Sequence, residues 1–199
     1  LDCTEEIISE ALKLNCNTIV CHHPIIFRPV KSITHQDYTQ RIITSALKND
    51  LNIYAIHTNL DNYLINGVNT KIAEKLELRN TESLAPLAGE FDPSIFGSGM
   101  IGNLKEPIDS KAFFELVIDQ MHVPLIRHTQ LIKANIKRVA ICGGSGSFLL
   151  PQAIKKGADV FVTSDYKYHQ FFDADLQIVI ADIGHYESEQ FTTELLHEI

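Results

Sequence analysis

GADVFVTSDYKYHQFFDADLQIVIADIGHYESE, residues 157–189, carries the strand–helix alternation that defines this chain. Residues 159–163 form a short apolar run rich in β-branched and aromatic side chains, the mark of a buried strand. A polar segment follows, then a short helix around 168–173 and a second apolar run at 177–181. Gly184 ends that run, and His185 opens a helix expected to reach the end of the chain. Strands that alternate with helices in this way build an α/β layer with a substantially parallel sheet.

Outward from this stretch the alternation continues. Asp2 and Thr4 precede Glu5 and Glu6, an acidic helix start, and Ile7, Ile8, Ala11 and Leu12 give that helix an apolar stripe. Residues 17–21 read as a strand that stops at His22–His23–Pro24, because proline cannot continue a ladder. A helix over 36–47, a strand over 51–57 and a helix over 66–78 follow. Pro86, Gly89, Pro93, Gly97, Gly99 and Gly102 then punctuate the chain as a linker between halves. The second half resumes with a helix over 110–121, strands over 124–128 and 137–142, and a helix after Gly146. The expectation is α/β in three layers with mostly parallel sheets: lobe one about 1–80, linker 81–103 and lobe two about 104–199.

Composition removes several function classes. A net charge of -8 without a basic stripe disfavours a nucleic-acid-coating role. No apolar run approaches about 18 residues, so neither a membrane span nor a signal peptide is expected. Cys3, Cys16, Cys21 and Cys142 lack CxxC spacing and read as reduced thiols of a cytoplasmic protein. Cys21 adjoins His22, but strand alternation turns it the other way.

Polar clusters stand at the ends of the extended segments, where α/β folds place their ligands. His22–His23 can serve one ion if the backbone bends there, or two ions if it does not; one structural and one exposed histidine is the alternative. His57 ends a strand and Asp61 follows four residues later, either as a carboxylate able to bridge two cations or as a helix cap. His185 and Glu189 share one helical face and can grip one cation, whereas Glu187 points away as a solvated charge. Imidazole and carboxylate ligands suit zinc, iron, manganese, cobalt or nickel. Two such ions about 3.5–4 Å apart activate a shared water for hydrolysis. Gly143–Gly144–Ser145–Gly146 is either a phosphate cradle or a structural turn. Asp165 and His169 are residues that support the ligands from behind, acid–base residues, or caps of the short helix.

The chain resembles the NGG-interacting-factor-three-like proteins, the GTP cyclohydrolase I type 2 homologues. The resemblance rests on CHHPIIF (21–27), HTNLDNYLINGVN (57–69), GSGMIGNL (97–104), RVAICGGSG (138–146), GADVFVTSDYKYHQFFDA (157–174) and IADIGHYESE (180–189). It implies a two-lobed fold with a dinuclear metal site in the cleft between lobes, held by His22, His23, Asp61, His185 and Glu189, with His57 close by. It also implies a homohexamer with sites facing an interior space. An N-terminal strand and helix of the family are expected to be absent here, as is the domain that longer members insert at the linker. The family's TGD is Thr163–Ser164–Asp165 in this chain. The expected function is a metal-dependent hydrolase, GTP cyclohydrolase-like or acting on another nucleotide or small phosphate or amide. A metal-binding regulatory or scaffold protein without catalysis is the alternative.

Overall fold

The computed structural model describes all 199 residues. The chain divides into two compact units, residues 1–60 with 192–199 and residues 61–191. In the first, β1 (Thr18–Cys21) pairs in parallel with β2 (Asn52–Ala55). α1 (Glu5–Lys13) and α2 (Tyr38–Lys48) lead into these strands. Thr4 caps α1 by accepting from the Ile7 N–H, and Glu5 and Glu6 sit in the first turn, where the helix dipole favours negative charge. Ile8 and Ala11 from α1, Ile19 and Cys21 from β1 and Ile42 and Ala46 from α2 close one apolar core.

The second unit is built on a six-stranded sheet. Its strands are β3 (Arg79–Pro86), β4 (Gly97–Asp109), β5 (Arg127–His128), β6 (Asn135–Ser145), β7 (Val160–Ser164) and β8 (Val179–Asp182). The order is β3-β4-β6-β7-β8-β5. Only β6–β7 and β7–β8 run parallel; β3–β4, β4–β6 and β5–β8 are antiparallel. The sheet is therefore mixed, not mostly parallel. The parallel part is the stretch 157–189 and its neighbour, where helical crossovers intervene; β3 and β4 are joined without a helix and so return antiparallel. Its helices are α4 (Val68–Lys75), α5 (Ser110–Met121), α6 (Leu150–Lys155) and α7 (His185–Glu189). α3 (Thr58–Asp61) spans the boundary of the two units.

Three expectations change. The segment 81–103 is mostly β3 and β4 rather than linker. Its glycines permit close strand approach: a Cβ on Gly97 would lie 1.9 Å from Ser83 Oγ, and one on Gly102 would lie 2.9 Å from Thr81 Cγ2. The strand expected at 124–128 shrinks to the two residues of β5 at a sheet edge, since Pro124 has no N–H to give. The final helix breaks after Glu189; Phe191 is buried in the second unit, and α8 (Thr192–Glu198) belongs to the first. No helix is long and apolar enough to cross a membrane.

Candidate metal centre

In the first unit three imidazoles meet at the carboxyl ends of β1 and β2. The N–H groups of His22 and His23 both donate to the Leu1 carbonyl, at 2.9 and 3.1 Å. Successive amides of an extended strand point to opposite sides, so a shared acceptor means that the backbone bends here. The bend puts the two rings 4.9 Å apart between centroids. His57 joins them at 5.6 and 5.7 Å, its N–H donating to the His22 carbonyl at 2.9 Å and its backbone held at φ +43°. His22 is fully buried, and His23 Nδ1 lies 3.0 Å from Asp2 Oδ1, which fixes the ring. Cys21 turns into the core instead, where its thiol donates to the His23 carbonyl. Burial, with the neighbouring Cys3 adding to it, pushes that thiol up to about 11 in the metal-free chain.

In the second unit His185 opens α7 directly after β8. Its Nδ1 lies 2.7 Å from Asp165 Oδ2 and its Nε2 lies 3.1 Å from Glu189 Oε2. Glu189 first, and then Asp165, hold the imidazolium up at about 9 against the opposing effect of burial. Glu189 is only 4% exposed, whereas Asp165 is open to solvent and held at φ +62°. The Cys142 thiol shares this pocket. Burial chiefly, then the negative charges of Asp61 and Glu189, push it up to about 12. Two carboxylates therefore impose a negative field on one buried place, and such a field suits a cation.

Residues 143–145, expected as a turn, are the irregular end of β6, and they support this pocket. Gly143 N–H donates to Asn69 Oδ1 at 3.0 Å, and Gly144 N–H donates to Ser188 Oγ at 2.9 Å. Asn69 Nδ2 donates in turn to the Asp61 carbonyl at 3.0 Å. The turn therefore spends two of its amides on holding α7 and the Asp61 segment, which favours the structural reading over a phosphate cradle. Gly144, at φ +64°, also leaves room for the acid: a Cβ there would lie 2.3 Å from Glu189 Oε1. At the end of β8, Asp182 accepts from Tyr166 N–H, Gly184 N–H and Arg127 Nη2.

Residues 1–199 match the family Duf34/NIF3 (NGG1p interacting factor 3). The chain belongs to the Duf34/NIF3 family. A Clostridium perfringens relative named GTP cyclohydrolase 1 type 2 homolog is 34% identical, over 95% of this chain and 71% of that protein. One of the same name from Streptococcus pneumoniae is also 34% identical, over 94% and 69%. Among solved structures, a Bacillus cereus protein related to NIF3 aligns over 100% of this chain and 80% of its own, at TM-score 0.90 and 27% identity. Staphylococcus aureus protein SA1388 aligns over 98% and 75%, at TM-score 0.87 and 32% identity.

Within this Duf34/NIF3 chain the five expected ligands fall in two places. His22 and His23 stand with His57 in the first unit; in the second, Asp61 and Glu189 act on Cys142 and His185 touches Glu189. His169 joins neither group: it is exposed and lies against the Tyr168 ring at 5.0 Å. Sequence reading left Asp165 between three roles; the structure sets its carboxylate against His185 Nδ1. The work of Asn69, Ser188 and the Arg127–Asp182 pair had no sequence signal, because each depends on contacts made far along the chain.

Proposed function

We propose that this chain is a divalent-metal-dependent hydrolase with a dinuclear centre held by His22, His23, Asp61, His185 and Glu189. The family resemblance supplies this donor set: His22 and His23 in the first unit, Asp61, His185 and Glu189 in the second. The observation that carries the reading is the setting of His185. Asp165 takes its Nδ1, which fixes the ring and leaves Nε2 beside the buried Glu189 carboxylate. A carboxylate behind a ligating imidazole is the arrangement that sets tautomer and raises donor strength at metal sites. A pair of divalent ions supplies Lewis acidity and a water activated near neutral pH. The chain's own residues then divide the remaining work. Asp165 orients His185, Asp2 orients His23, Asn69 ties the Asp61 segment to the glycine turn, and Gly144 keeps space for Glu189.

The substrate class is a nucleotide or another small phosphate or amide, in line with relatives named GTP cyclohydrolase 1 type 2 homolog. The family resemblance extends the proposal to a homohexamer. The test is a hydrolysis screen over nucleotides, phosphoesters and amides with protein purified without chelator. Turnover that Glu189→Gln abolishes, with the far-UV dichroism spectrum unchanged, is the expected result. Bound metal without turnover across the panel overturns the hydrolase and assigns the chain to regulation or scaffolding.

A further inference from the structure

Beyond the His22–His23 bend the chain does not return directly to a helix. Residues 24–40 wall a cavity of about 470 Å³ in the first unit, and Pro24 and Pro29 restrict the backbone along its rim. Arg28, Lys31, Phe27 and Tyr38 line it. Arg41 pairs with Glu5 and His23 with Asp2, while Arg28 and Lys31 stay out of any ion pair. Asp37, the acidic residue of the lining, is already engaged: it accepts from Gln40 N and Gln40 Nε2, both at 2.8 Å. A concave surface with two uncommitted cations is notable on a chain whose net charge is -8.

The aromatic content of the cavity narrows the ligand further. Phe27 is 75% exposed and Tyr38 is 61% exposed, a large apolar area to leave in water. The Phe27 ring is 6.2 Å from that of His57, so this lining residue touches the imidazole cluster. Cations that take phosphate beside exposed rings that take a flat π-face are the combination that binds nucleotides.

We propose that this cavity is a subsite for a phosphate ester carrying a flat heterocycle, with Arg28 and Lys31 holding the phosphate and Phe27 and Tyr38 the ring. It deepens the hydrolase reading by naming what positions the substrate beside His57. The test uses metal-free full chain, so that it succeeds or fails apart from the metal and turnover questions. Calorimetric titration with adenosine monophosphate and with ribose 5-phosphate at low salt should show binding of both, the nucleotide being tighter by about tenfold through stacking. Arg28→Gln with Lys31→Gln should weaken both by about tenfold or more. Phe27→Ala should remove only the nucleotide's advantage. Neither probe binding, or the double variant binding as the parent does, overturns the subsite; equal affinity for the two probes in the parent overturns its ring-binding half. Both basic side chains are exposed, and should the double variant lose its dichroism spectrum, Lys31→Gln alone carries the same comparison.

Discussion

Replacing Gly144 by alanine puts a methyl group where the Glu189 carboxylate now lies. Its Cβ would stand 2.3 Å from Oε1 and 3.4 Å from His185 Cε1, so the carboxylate must retreat by about 1 Å to reach ordinary contact. That carries Oε2 from 3.1 Å of His185 Nε2 to roughly 4 Å, outside hydrogen-bonding range. Gly144→Ala also places a side chain at φ +64°, a strain of about 1–2 kcal/mol. Gly157 provides the control: its φ is +70° and a Cβ there meets nothing within 4 Å, so Gly157→Ala carries the strain alone. Both variants should lose roughly 2–8 °C of melting temperature. Only Gly144→Ala should lower the His185 pKa in metal-free protein from about 9, read by imidazole proton resonances over a pH series. It alone should also weaken divalent-metal binding by roughly 10–100-fold in calorimetric titration. A Gly144→Ala protein that keeps both the pKa and the metal affinity of Gly157→Ala would refute the placement of Glu189.

Three further outcomes follow from the same geometry. Folding raises His185 above 6.5, so its contribution to stability is full below that pH and is lost as pH rises through about 9. Metal-free Glu189→Gln should flatten that profile more than Asp165→Asn does, since Glu189 is the larger cause of the shift, and urea midpoints across pH 6–10 would show the opposite order if the assignment were wrong. Asn69→Ala strands the Asp61 carbonyl and the Gly143 N–H, and should lower stability by about 3 kcal/mol in urea titration. Asp182→Ala removes a 2% exposed acceptor from two backbone N–H groups and leaves Arg127, half exposed, with the Tyr166 carbonyl alone; a loss of roughly 2–4 kcal/mol is expected by the same measurement.

Local chemistry made part of this legible. Pro24 marks the end of β1, Gly184 the end of β8, and a four-residue spacing joins His185 to Glu189 on one face of α7. Those features depend on near neighbours in the chain. The β3–β4 pair was hidden because glycines are read as linker, whereas Gly97 and Gly102 are there so that Ser83 and Thr81 of the facing strand can pass close by. The bend at His22–His23 was open in the sequence and is settled by an acceptor, the Leu1 carbonyl, that lies far back along the chain. The glycine turn misleads for a similar reason. Its amides suit an anion until Asn69 and Ser188 arrive from α4 and α7 to take them. The mixed sheet order likewise depends on strand pairings between distant segments, which period and composition do not encode.

These imidazoles and carboxylates are proposed to be metal ligands. Elemental analysis by emission spectroscopy of the chain purified without chelator tests this most directly. About two equivalents of a first-row divalent metal per chain are expected, falling sharply in His22→Ala and Asp61→Ala. One equivalent would contradict the dinuclear centre, and none would contradict the metal site itself.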